Sequence, residues 1–451
     1  MGEAWKRGAG LGDTRLDQRA GLMLERIVQT HSLVLNRFGG DRAGATAAGR
    51  LLASTKVDPE KLLAPQIERT RAIVRGRRIV VAQDTTEINF AGRDVNRKGL
   101  GPAGDGVSKG FFIHPALAID AEEEAVLGIV SACIWTREGA RTLDHHGRAF
   151  EDKESVRWLE AIERAAERCS DAESVVGVSD RESDIYEVFA RRPEAIDLIV
   201  RSTQDRVLAK GIKLFATLAD FEALGSGLVK VASKGIGDKG RTARVVIRAG
   251  HATIPRPQRL QPAAGDPDRV GLGFVEVREV DAPGSAAPLL WRLATTLPVS
   301  TLAEACEVVR LYRLRWRIEE TFRTLKKDGL RLEETQVQGG HAVMNLGALG
   351  LAAAVRIIQL VDARDGSPRP ATDVIDAADI EHVEAISRSL ERGTARQKNQ
   401  WPKGSLAWLA WVTARLGGWN CYYRPPGPKT MAHGWDRLSA MLDGMRLSGV
   451  G

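Results

Sequence analysis

The chain has 451 residues, of which 43% are hydrophobic and 27% are charged, and its formal net charge is +7. This length predicts two or three folded domains, and this composition excludes an intrinsically disordered chain. The sequence contains neither an apolar run of about 18 residues nor the apolar centre of a signal peptide near its start. We therefore expect a protein that stays in the cytoplasm and has no membrane partner.

The cysteines limit the class of protein further. They are far apart in the chain, and none belongs to a C-x-x-C pair. This spacing predicts neither a disulfide framework nor a zinc site, so we expect reduced thiols. The cysteines are Cys133, Cys169, Cys306 and Cys421.

The first part of the chain is predicted to be helical. Residues 14–73 carry apolar side chains at helical spacing, and Asp58 followed by Pro59 is a typical helix start. We interpret residues 1–73 as a helical N-terminal domain.

A β-strand pattern of period two begins after this domain. The segments RRIVVAQDTTEINF, FFIHPALAID and AVLGIVSACIWTR predict three successive strands. A helix (SVRWLEAIERAAERC), a buried strand (SVVGVSD), a helix (SDIYEVFARR) and another strand (DLIVRS) follow. The order βββαβαβ is typical of a ribonuclease H-like mixed sheet. The predicted fold class is therefore α/β, with a ribonuclease H-like core at residues 74–365.

The core is predicted to contain an insertion and to be followed by helices. Strand-like segments separated by turn-rich gaps indicate a β-rich insertion at about residues 203–298. The chain becomes helical again at Ser300, and residues 366–451 are predicted to be a helical C-terminal region.

The last predicted helix carries an apolar stripe at helical spacing. Such a stripe needs a covering surface, which is either a second subunit or the same chain. The stripe consists of Trp435, Leu438, Met441, Leu442 and Met445.

The most basic segment, residues 310–331, has charged residues at regular spacing. Its excess of lysine and arginine suits a polyanionic partner. At ~100° per residue, four of its side chains would lie within an arc of roughly 60° on one helix. They are Tyr312, Arg315, Glu319 and Lys326. The alternative interpretation is a surface helix with an Arg315–Glu319 ion pair.

Two aspartates follow apolar strand segments. Asp84 follows IVVAQ, and Asp180 follows VVGVS. Either residue alone could be a turn former or a helix cap. In a ribonuclease H-like sheet, however, these two strands are neighbours, and a later helix crosses them with Glu319. Three carboxylates at one place repel one another unless cations lie between them.

Hard oxygen ligands of this kind suit Mg²⁺, for which Mn²⁺ can substitute. Two such ions about 4 Å apart can activate an attacking water or hydroxyl and stabilise the leaving oxygen in phosphoryl transfer. The three carboxylates are therefore candidate metal ligands, and nearby arginine and lysine side chains would neutralise the phosphate.

These motifs resemble a known family. DTTEINF at Asp84, SDRESDIYEVF at Asp180 and the Y-x2-R-x3-E-x6-K spacing from Tyr312 to Lys326 are similar to the DDE transposases of the bacterial insertion-sequence-four group. These are cut-and-paste enzymes of the transposon-five type. Further segments match in chain order, including LGDTRLDQR, LLWRLATTLPVSTLAEA and GSLAWLAWVTARLGGW.

The resemblance implies a role for each matched residue. Asp84, Asp180 and Glu319 correspond to the catalytic metal-binding triad. Tyr312, Arg315 and Lys326 correspond to the signature residues that hold phosphates beside the scissile bond. Trp291 corresponds to an aromatic residue that stacks on a flipped base, although a strand tryptophan is more often a core residue. Arg201 and Arg50 correspond to DNA contacts of the core and of the N-terminal domain.

The resemblance also implies the partners and the reaction. The expected partners are double-stranded DNA, as transposon-end inverted repeats and target DNA, and a second copy of the chain, paired through residues 366–451. The expected reaction nicks each end, forms and reopens a hairpin, and joins the ends to the target. The expected location is the cytoplasm, at the nucleoid.

The sequence departs from the family near the predicted end-binding residue. Gly49 and Ser54 occupy positions where family members often have an aromatic residue and an asparagine, and the chain begins about a dozen residues late. Two alternatives therefore accompany the transposase: an immobile, structure-specific ribonuclease H-like nuclease and a DNA-binding inhibitor of transposition. The intact carboxylate triad favours an enzyme, because an inhibitor does not need it.

Overall fold

The structure is a computed structural model that describes residues 11–30, 32–90, 97–104, 106–137, 150–208, 211–231, 240–258, 266–282, 287–327, 330–375 and 377–448. The first ten residues, which bear on the predicted late start, lie outside this part. The chain divides into two compact units. The sheet unit comprises Gly76–Asp84 and Leu143–Trp316, and the helical unit comprises Met1–Arg75, Thr85–Thr142 and Arg317–Gly451.

The strands, in chain order, are β1 (Arg78–Gln83), β2 (Thr86–Asn89), β3 (Gly101–Pro102), β4 (Lys109–Asp120), β5 (Val126–Trp135), β6 (Ser174–Ser179), β7 (Asp197–Arg201), β8 (Ala223–Val231), β9 (Arg241–Pro255), β10 (Arg269–Val280) and β11 (Leu290–Thr295). The helices are α1 (Thr14–Thr30), α2 (Leu35–Phe38), α3 (Arg42–Leu52), α4 (Pro59–Ile73), α5 (Val156–Arg168), α6 (Tyr186–Ala190), α7 (Leu214–Asp220), α8 (Leu302–Arg313), α9 (Trp316–Lys326), α10 (Gly340–Ala363), α11 (Ile380–Leu390), α12 (Leu406–Leu416) and α13 (Pro428–Ser448).

The sheet unit is built on a mixed sheet with the strand order β1-β6-β7-β11-β10-β9-β8. The β1–β6 and β6–β7 pairs are parallel, and the remaining neighbours are antiparallel. In β1 and β6 every residue after the first is buried, which explains their nearly continuous apolar sequences. Helix α8 packs against β6, β7, β9 and β10. This mixed α/β arrangement is compatible with a ribonuclease H-like fold.

The helical unit surrounds one long apolar helix. Almost every residue of α10 is buried, and the helix packs against α1, α3, α4, α12, α13 and β5. By length and composition alone α10 could cross a membrane, and 94% of its apolar window is buried inside the protein. In the same unit, β4 pairs antiparallel with β2, β3 and β5. The helix is thus the centre of this unit's core.

Two predicted elements are interrupted in the structure. The segment RRIVVAQDTTEINF forms two strands, because the chain leaves β1 at Asp84 and re-enters a different ladder as β2. The segment SDIYEVFARR is only partly α-helical, since a 3₁₀ turn at Arg181–Ser183 precedes the short α6. The other strands and helices of the predicted βββαβαβ order are present.

The apolar stripe of α13 is mostly covered by its own chain. Trp435, Leu438 and Leu442 are 6%, 0% and 4% exposed, whereas Met441 is 38% exposed. The helix packs against α1, α10, α11 and α12. A second subunit is therefore not needed to cover the stripe. Pairing through residues 366–451 stays a prediction. All four cysteines are free thiols in the structure.

Candidate active site

Two neighbouring parallel strands bring Asp84 and Asp180 to the same edge of the sheet. The β1–β6 register pairs Arg78 with Ser174 and Ala82 with Val178. Continued by two residues, this register places Asp84 opposite Asp180. Neighbouring strands are about 4.8 Å apart, so the two aspartates occupy adjacent positions just beyond the carboxyl ends of the strands. The predicted pairing of these strands is confirmed.

Asp180 is also a helix cap. Its Oδ1 accepts a hydrogen bond from the backbone N–H of Glu182 at 2.8 Å and so caps the 3₁₀ turn after β6. The capping alternative from the sequence is therefore real. It does not exclude a second role, because a carboxylate has further lone pairs available.

Asp84 forms an ion pair with Arg315. Arg315 Nη1 donates to Asp84 Oδ2 at 2.7 Å, and the two side chains are 14% and 13% exposed. The sequence alternative, an ion pair of Arg315 with Glu319, is a separate contact that this pair neither supports nor excludes. The contact with Asp84 joins the two most distant parts of the sheet unit's sequence, a relation that spacing along one helix does not detect.

The predicted single helix from Tyr312 to Lys326 is wrong in one respect. Helix α8 ends at Arg313 and α9 begins at Trp316. Between them, the N–H groups of Leu314 and Arg315 donate to carbonyls three residues earlier, both at 3.1 Å. Such i→i+3 bonds tighten the turn. The signature side chains therefore do not share one uninterrupted stripe.

Tyr312 is buried near several of the predicted site residues. Its ring meets the ring of Trp291 edge-on, with centroids 6.0 Å apart and planes at 64°. Burial raises the pKa of the Tyr312 hydroxyl, and Asp180 adds to this, whereas Arg315 and Arg201 lower it. Tyr312 is therefore a neutral phenol at pH 7. The charges of Asp180, Arg315 and Arg201 are all close enough to act on its hydroxyl.

Trp291 occupies the start of β11 and is only partly buried, unlike the last three residues of that strand. An ordinary core tryptophan would be enclosed on all sides. Next to it, Arg201 ends β7 and donates from Nη2 to the carbonyl of Leu290 at 3.4 Å. The structure thus brings Trp291, Arg201 and Tyr312 together at the same end of the sheet.

Sequence reasoning missed Asp184, which fixes the chain that follows Arg201. Its side chain is fully buried and lies 2.5 Å from Arg206 Nη1. Its Oδ2 accepts from the N–H groups of Thr203 and Gln204 at 2.7 and 2.8 Å. The second aspartate in SDRESD was the available signal. Asp184 positions the loop and is too enclosed to meet a ligand.

Glu319 and Lys326 belong to the helical unit. Glu319 lies in the first turn of α9 and is partly exposed. Lys326, in the last turn, donates from Nζ to the carbonyl of Glu87 at 2.7 Å and lies 3.3 Å from Glu333 Oε1. The Lys326 ammonium group therefore contacts a carbonyl and a carboxylate oxygen, and a DNA phosphate could take the place of either.

Arg50 lies apart from these residues, in the last turn of α3. Its side chain is exposed, and its helix buries Ala45, Ala48 and Leu51 on the opposite face. An exposed arginine on a firmly packed helix is available to a DNA phosphate, although no contact in the structure assigns it that role.

The donor set at the sheet edge fits a divalent cation in type. Asp84 and Asp180 supply hard oxygen ligands from adjacent positions, as Mg²⁺ prefers. Among the described residues, however, no three His, Cys, Asp or Glu side chains form a ready metal cluster. Arg315 now holds the Oδ2 atom of Asp84, so a cation would use the other oxygen or displace the arginine.

A comparison with known protein families gives one match. Residues 148–355 match the family described as the transposase DDE domain. The matched range contains Asp180, Glu319 and the signature residues, and it begins after Asp84. The match, together with the aspartate pair, supports a DDE transposase, a DNA-cleaving enzyme.

Proposed function

We propose that this protein is a transposase of the insertion-sequence-four group with the Y-R-E-K signature. In this proposal it cleaves transposon ends through a hairpin intermediate and joins them to target DNA by two-metal-ion phosphoryl transfer. The observation that carries the proposal is the register of β1 and β6, which sets Asp84 beside Asp180 next to Arg315.

The proposed metal ligands are Asp84, Asp180 and Glu319. When bound, Mg²⁺ or Mn²⁺ would lower the pKa of an attacking water or hydroxyl and stabilise the leaving oxygen. The ion pair of Arg315 with Asp84 gives the chain a way to neutralise this carboxylate before DNA arrives. On DNA binding, the guanidinium can turn to the phosphate, for which its planar pair of donors is well suited.

Trp291 and Tyr312 are proposed to hold the DNA end. A duplex end that bends into a hairpin must release a base from the stack, and a partly exposed indole can accept that base. Because Tyr312 supports the Trp291 ring edge-on, the indole has a fixed orientation. Arg201, tied to Leu290 beside Trp291, would contact the adjoining phosphate.

The remaining proposals concern DNA and partners. Arg50 would contact the transposon end in a DNA-binding domain at residues 1–73. A second copy of the chain would pair with the first through residues 366–451 in a paired-end complex. The site of action would be the nucleoid in the cytoplasm.

The test begins with the DNA on either side of the gene, read for short inverted repeats and a target duplication. A duplex carrying such an end should be nicked by the protein in Mg²⁺ and left intact in EDTA. Product analysis on a denaturing gel should then resolve a hairpin. Nicking of unrelated duplexes at the same rate would favour the immobile nuclease instead.

A further inference from the structure

A cavity lies in the helical unit, within residues 364–426. It has a volume of about 290 Å³ and combines aromatic and basic side chains. Its main lining residues are Trp401, Trp411, Trp419, Arg364, Arg396 and Lys398. In the described part of the chain, no aspartate or glutamate lines it. The cavity is therefore positively charged and walled by indole rings.

Helix α12 contributes three residues to the lining of this cavity. Ala410 and Ala414 are one turn apart on the helix, and their small side chains leave open space beside Trp411, which is 6% exposed. Trp401 and Trp419 lie before and after the helix and are partly exposed. A lining that combines flat aromatic rings with small residues suits a planar ligand.

The ring of Trp401 packs closely against the backbone at Gly366. Gly366 has φ +120°, and a Cβ atom there would come within 3.0 Å of the Trp401 ring. Only glycine permits both this backbone conformation and this close approach. The indole of Trp419 is also held, because its Nε1 donates to the carbonyl of Arg424 at 3.2 Å. The indoles are thus fixed before any ligand arrives.

The cations of the cavity differ in their protein partners. Arg364 donates to the carbonyl of Pro426 at 2.9 Å and pairs with the exposed Asp365. Arg396 and Lys398 are exposed, and within the described residues neither has a carboxylate at ion-pair distance. Burial raises the pKa of the Cys421 thiol, which also lines the cavity and stays neutral. Two positive charges therefore remain available to an anion.

We propose that this cavity binds an unstacked base of single-stranded DNA, with Arg396 and Lys398 on the flanking phosphates. A cavity of this volume accepts one ring system, and bases within a duplex cannot enter it. The choice of DNA over RNA rests on the proposed function. An aromatic heterocycle bearing phosphate could also be a free nucleotide, and the test separates these sources.

The experiment uses the full chain and the anisotropy of a labelled DNA hexamer. The comparison ligands are an abasic hexamer with the same phosphates, deoxyadenosine monophosphate and an RNA hexamer. Trp401→Ala should weaken hexamer binding by about 5- to 150-fold, the effect of losing one stacked base. It should also remove most of the preference for the normal over the abasic hexamer.

A second variant guards against loss of folding. Arg396→Gln with Lys398→Gln changes only exposed side chains and should lower the salt slope of binding by about 0.7 for each lost phosphate contact. Arg392 is an exposed arginine of the same loop that does not line the cavity, so Arg392→Gln should leave the salt slope of binding unchanged.

Four results would overturn the proposal: equal binding by wild type and the double variant, equal affinity for the abasic hexamer, equal affinity for the mononucleotide, or tighter binding of RNA. The titration involves no cleavage. A protein that nicked no transposon end would contradict the proposed function and leave this test intact.

Discussion

Two arginines close together in the chain form ion pairs with aspartates in very different surroundings. Arg315 pairs with Asp84 at 2.7 Å, where both side chains keep some contact with solvent. Arg317 pairs with Asp362 at 2.9 Å, and the side chain of Asp362 is only 3% exposed. Both distances are ordinary for an ion pair, so distance does not distinguish the pairs.

The buried pair is a structural feature of the helical unit. Burial raises the pKa of Asp362 to about 6, although Arg317 and the N–H of Val126 lower it. That N–H donates to Asp362 Oδ2 at 2.9 Å and ties α10 to the start of β5. A carboxylate so enclosed cannot meet a phosphate or a metal ion from solution.

The pair at the sheet edge has the opposite character. Asp84 lies at the end of β1, beside the register position of Asp180, and Arg315 lies in the turn between two helices. Both groups can exchange their partner for a ligand without opening a core. Position and exposure therefore separate a carboxylate suited to chemistry from one that holds helices and strands together.

The largest expected effect is at the sheet edge. Asp84→Ala, Asp180→Ala or Glu319→Ala should each reduce strand cleavage by at least ~10²-fold, because a two-ion site without one ligand misaligns the reacting oxygens. DNA binding should largely persist. Nicking rate and a gel-shift assay measure the two properties. Glu182 is an exposed carboxylate beside Asp180, and the control variant Glu182→Gln should cleave at the normal rate. Normal cleavage by one of the three alanine variants would show that the residue replaced in it is not a metal ligand.

The next effect concerns the buried pair and pH. Because the pKa of Asp362 is about 6 when folded and about 3.9 when unfolded, the folded state binds this proton more tightly. Ionisation of Asp362 therefore costs stability as the pH rises from about 4 to 6, by about 3 kcal/mol in total. Asp362→Asn should remove this loss.

The measurement is the free energy of unfolding of wild type and variant between pH 4 and 7. The free energy of unfolding of wild type should fall relative to that of Asp362→Asn as the pH rises from about 4 to 6. The exposed Asp365→Asn serves as the matched control. Parallel curves for wild type and Asp362→Asn would show that Asp362 does not titrate in this range.

A smaller effect is expected for Trp291. Trp291→Ala should nick the DNA end at a near-normal rate but accumulate nicked product, since the flipped base loses a stacking partner worth about 1–3 kcal/mol. A pre-cleaved blunt end should restore strand transfer, and Trp291→Phe should restore part of the hairpin yield. A core tryptophan would instead cost about 3–5 kcal/mol of stability and lower every product together. A time course of nicked, hairpin and double-strand-break products distinguishes the two outcomes.

The smallest effect is on salt dependence. Arg315→Ala or Lys326→Ala should weaken end binding and reduce its salt slope by about one counterion, because each side chain is expected to contact one phosphate. Arg388→Ala removes an exposed arginine already paired with Glu384 and provides the control. An unchanged slope in Arg315→Ala would indicate that its only partner is a carboxylate.

The strands that carry the aspartates were predictable, and the contacts of the signature were not. IVVA and VVGV are continuous apolar runs, as expected for strands buried on both faces. No glycine or proline marks the break after α8, and Leu314 keeps right-handed helical dihedrals there. The helical spacing of the apolar residues therefore predicts one helix across the break between Arg313 and Trp316.

Long-range contacts explain the other differences. The ion pair of Arg315 with Asp84 depends on how the sheet unit folds, and spacing along one helix does not reveal it. The cover of the α13 stripe by α1 and α10 is likewise a tertiary contact, which no local pattern records.

Asp180→Asn shows whether the aspartates at the sheet edge are catalytic metal ligands. Asparagine is as good a cap as aspartate and can still accept the hydrogen bond from Glu182, but it lacks the charge that a metal ion needs. We predict unchanged thermal stability and unchanged DNA binding, with Mg²⁺-dependent nicking reduced by at least ~10²-fold. Nicking at the wild-type rate would show that Asp180 is a helix cap and not a metal ligand.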